Sequence, residues 1–186
     1  MVKGYSIPIR PVLKYRSIKM NRLFVIIVNY CQPQLTIKCI ESIRKSKGID
    51  PFIVVVDNAS PDNSYEVLNK NTENITLIRS DENNGFAAGN NIGIRYAIQN
   101  GADSLMLLNN DTEIDPDMIS NLLKYADEKT AVSPKMYYYD RPDTIWYAGG
   151  RYQNLSGRFV HLGENQKDSD EYDRVTECDF LTGCCI

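Results

Sequence analysis

The chain has 186 residues, of which 42% are hydrophobic and 24% are charged, a composition typical of one globular domain with a real core. It has no apolar run near the ~20 residues that span a bilayer, and its N-terminus lacks the apolar segment of a secretory signal. Five cysteines without the short pairing of a zinc site favour free thiols in a reducing compartment. We therefore expect a cytoplasmic protein.

The charge is distributed unevenly along the chain. The net charge is −3, but residues 1–22 carry +6 with no acidic residue, so the remainder carries −9. We interpret residues 1–22 as a flexible basic leader and residues 23–186 as the folded domain. Aliphatic side chains within the leader leave open a peripheral contact with an anionic membrane, at the inner face of the plasma membrane. The acidic remainder argues against nucleic acid as a partner.

From Leu23 on, continuous apolar runs rich in β-branched residues alternate with segments of helical periodicity. Apolar runs of this kind are typical of strands buried on both faces of a sheet. The predicted strands are 23–28, 51–56, 75–79 and 104–108, and the predicted helices between them are 33–46, 64–69 and 85–99.

The region after the fourth strand is predicted to contain one more helix and a set of short strands. Asp115 is the expected N-cap of that helix, with Pro116 in its first turn and an inward face formed by Ile119, Leu122, Leu123 and Ala126. After Thr130, aromatic runs punctuated by glycine predict mixed or antiparallel strands that cover one edge. Alternating strands and helices predict an α/β fold with a mostly parallel sheet and right-handed connections.

Polar segments follow three of the predicted strands: "NYC" after the first, "DNAS" after the second and "NNDT" after the fourth. In parallel sheets, ligands bind beyond the carboxyl ends of the strands, so we expect these tips to line one crevice. Asp57 could accept hydrogen bonds from a ribose hydroxyl or a base N–H group, or form an Asx turn or helix cap. Tyr30 could stack on a base, or be a core or rim tyrosine.

The predicted helix at 85–99 begins with "GFAAGNNIGI", which places Gly85, Gly89 and Gly93 on one stripe. Glycines there allow the backbone to approach a sheet or a phosphate closely. The spacing is not the GxGxxG fingerprint of dinucleotide sites. Packing accounts for the glycines but not for the neighbouring asparagines, and a helix N-terminus attracts anions. These asparagines are Asn83, Asn84, Asn90 and Asn91.

Asp111 is the candidate metal ligand. Magnesium binds through one or two carboxylates together with substrate phosphates and water, and manganese accepts the same oxygen ligands. Asn109 and Asn110 would add hydrogen bonds without charge that repels phosphate. The alternative is that "NNDTEIDP" is only a strand-to-helix turn.

The single histidine and the C-terminal cysteines are interpreted as structural. His161 lies within a strand-like run, which favours packing over catalysis. Cys178, Cys184 and Cys185 lack zinc spacing and a nearby histidine ligand, so we expect buried apolar side chains.

Six segments, in this order, resemble glycosyltransferase family 2, in particular its rhamnosyltransferase-like members: "VIIVNY", "VVVDNAS", "NNGFAAGNNIGI", "LLNNDTEIDP", "YAGG" and "DFLTGCC". The resemblance covers about Leu23 to Ile186 and implies a GT-A fold, a nucleotide-sugar donor and Mn²⁺ or Mg²⁺. In the resemblance, "NND" takes the place of the DxD motif, with Asn109 at its first position. The resemblance implies Tyr30 and Asp57 at the base or ribose, Asn84, Gly85 and Asn90 shaping the donor pocket, and Asp111 as metal ligand. Asn58, Asn109 and Asn110 are also expected to bind substrate.

The implied reaction is an inverting displacement at the anomeric carbon. The sugar, from dTDP-rhamnose or a UDP-sugar, passes to a hydroxyl of a glycan or lipid-linked acceptor in cell-surface polysaccharide synthesis. In the family the general base follows the "FLTG" segment, so we expect it beyond Ile186 and expect low or no turnover from this chain. The acidic residues Asp168, Asp170, Glu171 and Asp173 are interpreted as a solvated loop.

Two alternatives stay open at the level of sequence. The chain could be a module that binds a nucleotide-sugar without turnover, which an absent base would allow. It could also be a sugar nucleotidyltransferase, but that enzyme needs a glycine-rich basic loop after the first strand, where this chain has "NYCQPQ".

Overall fold

The computed structural model describes residues 22–186, so the predicted basic leader, apart from Arg22, lies outside the described residues. A four-stranded parallel sheet forms the centre, with the strand order β3-β2-β1-β4. Its strands are β1 (Leu23–Asn29), β2 (Phe52–Asp57), β3 (Thr76–Arg79) and β4 (Ser104–Leu107). The helices are α1 (Pro33–Ile43), α2 (Ser64–Asn71), α3 (Gly85–Gln99) and α4 (Met118–Leu122).

Helices cover both faces of this sheet because β1 is apolar at every position before its tip. Val25 and Ile27 point to one face, where they pack with buried side chains of α1 and α2. Phe24 and Ile26 point to the other face, where they pack with α3. The alternation of side chains along a strand therefore serves two hydrophobic cores, which confirms the prediction of a strand buried on both sides.

Helix α3 approaches the sheet closely through two glycines. A Cβ atom on Gly93 would lie 2.5 Å from Ile26 Cγ2, and one on Gly89 would lie 2.8 Å from Val28 Cγ1. Both separations are below van der Waals contact, so any side chain would push the helix away from β1. Gly85 plays a different part, since its φ of +84° is the left-handed conformation that glycine adopts readily.

Two small antiparallel pairs follow the central sheet, as predicted for the region after Thr130. They are β5 (Met136–Tyr137) with β6 (Ile145–Tyr147), and β7 (Gly150–Gln153) with β8 (Arg158–His161), before a short 3₁₀ helix at Asp170–Tyr172. Residues 184–186 then run antiparallel to β4: the Leu107 N–H donates to the Ile186 carbonyl (2.8 Å), and the Asn109 N–H to the Cys184 carbonyl (2.9 Å). The far end of the chain thus covers the β4 edge.

The prediction of Asp115 as an N-cap is wrong. The Asp115 carboxylate instead accepts a hydrogen bond from the Asp117 N–H (2.9 Å), which forms a tight turn before the helix. Helix α4 consequently begins at Met118 and ends at Leu122, so Ala126 lies beyond it. Within residues 22–186, no helix has the length and apolar character needed to cross a bilayer.

Candidate functional site

The polar tips of β1, β2 and β4 meet at one edge of the sheet. The strand register pairs Asn29 of β1 with Asp57 of β2, and Ile26 of β1 with Leu107 of β4. Residues 109–111 follow β4 after Leu108, and the Asn110 side chain donates to Gln32 Oε1, between β1 and α1, at 3.3 Å. The three polar strand ends singled out in the sequence therefore lie together at one edge of the sheet.

Asp57 is fully buried, and its carboxylate is bound within the protein. Its Oδ2 accepts hydrogen bonds from Asn29 Nδ2 (2.8 Å) and the Ser60 hydroxyl (2.7 Å), while its Oδ1 accepts one from the Ser60 N–H (3.1 Å). Three hydrogen bonds offset the cost of burying the charge. Because Asp57 has no exposed surface, a direct contact between its carboxylate and a ligand requires a local movement of the turn.

Tyr30 lies at the same edge with 46% of its surface exposed, so its ring is available to a ligand. The next residue, Cys31, has a φ of +54°, and Ala59 after β2 has a φ of +57°. Left-handed conformations cost a non-glycine residue about 1 kcal/mol or more, and they often mark binding sites. The Cys31 N–H donates to the Ser60 hydroxyl at 3.0 Å, which connects the two turns.

Asn58 connects the β2 tip to the start of α3. Its side-chain Nδ2 donates to Asn83 Oδ1 (2.8 Å) and to the Gly85 carbonyl oxygen (3.2 Å). Asn84 occupies the N-cap position with an exposed side chain that makes no capping bond, while the Gly85 N–H donates to Asn83 Oδ1 (3.0 Å). Asn90 is buried one turn later and donates to the Phe86 carbonyl oxygen at 3.0 Å.

Asp111 is exposed at the β4 tip and lines a cavity of about 120 Å³. The other lining residues are Leu35, Lys38, Thr112, Glu113 and Tyr139. Burial raises the pKa of the Cys39 and Cys184 thiols beside this tip, and the negative charge of Asp111 raises both further. The negative charge of Asp111 therefore acts on these thiols inside the protein, although its own side chain is exposed to solvent.

Two buried acceptors at this edge have no hydrogen-bond partner in the described part of the chain: Asn58 Oδ1 and Asn109 Oδ1. Buried polar atoms are paired in the great majority of cases, so unpaired ones require an explanation such as a ligand, an ion or a water molecule. Asn109 Oδ1 and the Asp111 carboxylate provide oxygen donors two residues apart on one turn. This donor set fits a hard divalent cation.

Several residues singled out in the sequence lie away from this edge. The His161 ring packs edge-on against Trp146 (5.0 Å) and Tyr147 (5.1 Å), which is the structural role expected for it. Cys185 is fully buried, as predicted, whereas Cys178 and Cys184 are only half-buried.

The interpretation of the acidic residues near 170 as a solvated loop is wrong for two of them. Lys135 Nζ, on a side chain that is only 13% exposed, lies 2.7 Å from Asp168 Oδ1 and 2.5 Å from Asp173 Oδ1. Tyr137 also donates to Asp168. A largely buried ammonium needs anionic partners, so these carboxylates hold the loop against β5.

Sequence reasoning missed the buried Thr36, and it gave no individual role to the buried Asn29 and Ser60 within the segments "NYC" and "DNAS". Thr36 donates to Asn29 Oδ1 at 2.8 Å and accepts from Asn110 Nδ2 at 3.2 Å. A signal was present, because Thr36 lies on the same apolar stripe of α1 as Cys39, Ile40 and Ile43. A polar side chain on a buried stripe requires a partner.

Comparison with known proteins gives a consistent result. The family described as glycosyl transferase family 2 matches residues 24–183. The chain is 28% identical over 129 residues to the dTDP-rhamnosyl transferase RfbF of Shigella flexneri, covering 68% of this chain and 42% of that protein. It is 32% identical over 126 residues to the low-salt glycan biosynthesis hexosyltransferase Agl10 of Haloferax volcanii, covering 66% of this chain and 39% of the other. The chain thus spans about two fifths of the length of these relatives.

Among solved structures, the fold is similar to the mannosyltransferase PcManGT from Pyrobaculum calidifontis in complex with GDP-Man and Mn²⁺. The TM-score is 0.55 at 23% identity, over 68% of this chain and 37% of the other.

Proposed function

The chain belongs to glycosyltransferase family 2, and we propose that it provides the donor site of an enzyme that transfers a sugar from a nucleotide-diphosphate donor to an acceptor hydroxyl. Its α/β architecture is the GT-A fold that the resemblance implied. One observation carries the proposal: an exposed tyrosine, an open helix N-terminus and an exposed aspartate follow strands of one parallel sheet at a single edge. This is where a parallel sheet binds nucleotides.

The nucleoside is proposed to lie over the tips of β1 and β2. Tyr30 offers an exposed ring for stacking on the base. Asp57 and Asn58 form the floor beneath base and ribose, and a direct contact between the ligand and the buried Asp57 carboxylate would need a local movement of the turn. Each of these groups is neutral or already paired, so the surface suits an uncharged base.

The sugar diphosphate is proposed to lie between the start of α3 and the β4 tip. The Gly85 N–H already donates to Asn83 Oδ1 (3.0 Å), so the N–H groups that follow it in the first α3 turn would attract phosphate, and Asn84, Gly85 and Asn90 shape that wall. Gly85 has open space where a Cβ would lie, so a ligand can approach its backbone. Asn109 and Asn110 form the opposite wall without adding negative charge, and Asn110 Nδ2 is held there by its bonds to Gln32 Oε1 (3.3 Å) and Thr36 Oγ1 (3.2 Å).

Asp111 is proposed to hold Mn²⁺ or Mg²⁺, with Asn109 Oδ1 as a further oxygen donor. When bound, such a cation stabilises the negative charge that develops on the leaving diphosphate by several kcal/mol. PcManGT contains Mn²⁺ with its GDP-Man, which supports the assignment but does not distinguish the two metals in this chain.

The proposed reaction breaks the bond between the anomeric carbon and the diphosphate oxygen while an acceptor hydroxyl oxygen attacks from the opposite face. The nucleoside diphosphate leaves, the acceptor hydroxyl loses its proton to a general base, and the configuration inverts. The proposed donor is dTDP-rhamnose or a UDP-sugar, and the proposed acceptor is a glycan or lipid-linked hydroxyl in cell-surface polysaccharide synthesis. RfbF, a dTDP-rhamnosyl transferase, supports the first donor, and Agl10, a hexosyltransferase of glycan biosynthesis, supports a glycan product.

Calorimetry tests this proposal. UDP, dTDP and GDP are titrated into the protein with Mn²⁺, Mg²⁺ or no metal, and then into Asp111→Ala and the matched control Asp117→Ala. Asp117 is also an exposed aspartate, but it pairs with Lys47 at the surface. We expect one nucleotide to bind in a metal-dependent way, with affinity reduced at least about tenfold in Asp111→Ala only. No binding of any nucleotide to the wild-type protein would overturn the proposed donor site.

A further inference from the structure

We propose that Asn29, Thr36, Asp57 and Ser60 act as positioning residues that hold the nucleoside end and the diphosphate end of the donor site in one fixed geometry. With Asn110, these residues form one hydrogen-bonded chain, which we call the tip network. The inference rests on the proposed function, because it assigns a role to groups beneath that donor site.

The tip network crosses three strand ends without a break. From the β4 tip, Asn110 Nδ2 donates to Thr36 Oγ1 (3.2 Å), and this hydroxyl donates to Asn29 Oδ1 (2.8 Å). From the β1 tip, Asn29 Nδ2 donates to Asp57 Oδ2 (2.8 Å) at the end of β2. The Ser60 hydroxyl donates to the same carboxylate oxygen at 2.7 Å.

All the donors point toward the carboxylate, which fixes the orientation of each group. The Asn29 amide accepts on its oxygen and donates from its nitrogen, so a flipped amide would lose both bonds. Asn29, Thr36 and Asp57 are completely buried, so water cannot replace a lost partner. A chain of aligned hydrogen bonds that ends on an ionised acceptor is strengthened by mutual polarisation. The Thr36 hydroxyl also lies 3.2 Å from the Gln32 carbonyl oxygen, but the bond to Asn29 Oδ1 is shorter at 2.8 Å, so its single proton favours the arrangement that continues the network.

Both ends of the tip network touch the segments that carry the proposed ligand contacts. At one end, Asn110 directly precedes Asp111. At the other end, the Ser60 hydroxyl accepts from the N–H of Cys31, which directly follows Tyr30 and has a left-handed backbone. The network thus connects the residue beside the metal ligand to the turn that presents the stacking ring.

Stability alone is a poor reason for this arrangement. The partners of Asp57 are two neutral side chains and one backbone N–H group, so its burial carries a desolvation cost without a cation to offset it. Well-packed apolar residues of similar volume are often as stable as a buried charged group or more so. A rigid polar network is justified where it fixes the positions of ligand-binding groups to a fraction of an ångström.

The test uses Thr36→Val, which removes the hydroxyl but keeps the side-chain shape, and Thr36→Ser, which keeps the hydroxyl. For each protein, the affinity for the nucleoside diphosphate that the wild type binds is measured with and without Mn²⁺. The ratio of the two affinities is the enhancement by metal, a coupling between the two ends of the site that a purely structural residue would leave unchanged. We expect the affinity with Mn²⁺ to fall about tenfold in Thr36→Val, with reduced enhancement, and to stay within about twofold in Thr36→Ser.

The outcomes separate this inference from the proposed function. A wild-type protein that binds no nucleotide contradicts the donor site itself. If the wild type binds and Thr36→Val keeps the wild-type enhancement, the donor site stands and the positioning role is overturned. If a thermal melt shows that Thr36→Val does not fold, Ser60→Ala is measured in its place. We expect the same reduced enhancement by metal, and a wild-type enhancement in Ser60→Ala would overturn the positioning role.

Discussion

Asp57 is a carboxylate with no exposed surface, and the hydrogen bonds that it accepts determine whether its burial is tolerated. The turn of residues 57–60 is an Asx-type turn, because the Ser60 N–H donates back to the Asp57 side chain. That feature alone would be a local capping interaction. The additional bond from Asn29, 28 positions earlier in the chain, makes Asp57 a junction between two strands.

The substitution Asp57→Asn tests how much the hydrogen bonds accepted by the Asp57 carboxylate contribute to stability. The carboxylate has acceptors for three donors on its two oxygens, whereas an asparagine side chain of the same shape has only one acceptor oxygen. At least one donor then faces an NH₂ group. We expect the free energy of unfolding to fall by about 1–3 kcal/mol, measured by urea denaturation.

The control for this prediction is Asp50→Asn, at an exposed position before β2, which should change the free energy of unfolding by less than about 0.5 kcal/mol. Equal effects of the two substitutions would mean that the Asp57 hydrogen bonds contribute nothing beyond the loss of a charge.

At the scale of elements, helix α3 positions one wall of the proposed donor site, and its distance from β1 depends on glycine. Gly93 faces the fully buried Ile26 at the middle of the sheet, where a Cβ would be 2.5 Å from a methyl group. We expect Gly93→Ala to destabilise the fold by about 1–3 kcal/mol, although alanine favours a helix more than glycine does. Thermal or urea unfolding measures the change.

A double-mutant cycle identifies the cause of that destabilisation. Ile26→Ala removes the methyl groups that the new Cβ would meet, at its own cost of about 2–5 kcal/mol for the cavity. If the close contact is responsible, the double variant is more stable than the sum of the two single effects predicts. Simple additivity would show that Gly93 matters for another reason.

The helices and central strands were predictable because each is defined by a local pattern. The apolar runs before Asn29, Asp57 and Asn109 and the glycine stripe of α3 gave the correct faces of the sheet and the position of the crevice. The start of α4 was not predicted correctly, because a tight turn at Asp115 delays the helix to Met118. Asp115 bonds to the Asp117 N–H, and this short-range hydrogen bond has no periodic signature.

The partners of the polar side chains were less predictable, since they depend on long-range register. Thr36 meets Asn110, 74 positions later, only after β1 and β4 have paired. Lys135 similarly meets Asp168 across a segment without regular periodicity, so an acidic stretch was interpreted as solvated. The roles of Tyr30 and Asp111 at a nucleotide-sugar stay predictions that binding experiments must test.

At the scale of the whole molecule, buried thiols make the stability of the fold sensitive to alkaline pH. Burial raises the pKa of Cys39 and Cys185 well above the usual range of a thiol, with smaller contributions from nearby charge. Both groups lie in the main hydrophobic core beneath the site. An unfolded chain exposes them to water, where a thiol has a pKa of about 8.5.

The sign of the effect follows from this difference. Above about pH 8.5 the unfolded chain releases protons that the folded protein retains, so unfolding becomes more favourable as pH rises. In that range, each buried thiol lowers the free energy of unfolding by about 1.4 kcal/mol for every pH unit. The free energy of unfolding is measured by urea denaturation in reducing buffer between pH 7.5 and pH 10. Near neutral pH, Cys185→Ala should be less stable than the wild type because of its cavity. Above about pH 8.5, its free energy of unfolding should fall less steeply with pH, by the contribution of one thiol proton. Cys39→Ala should show the same reduction in the pH dependence of the free energy of unfolding. Wild-type slopes in both variants would mean that other groups govern the alkaline limit of this fold.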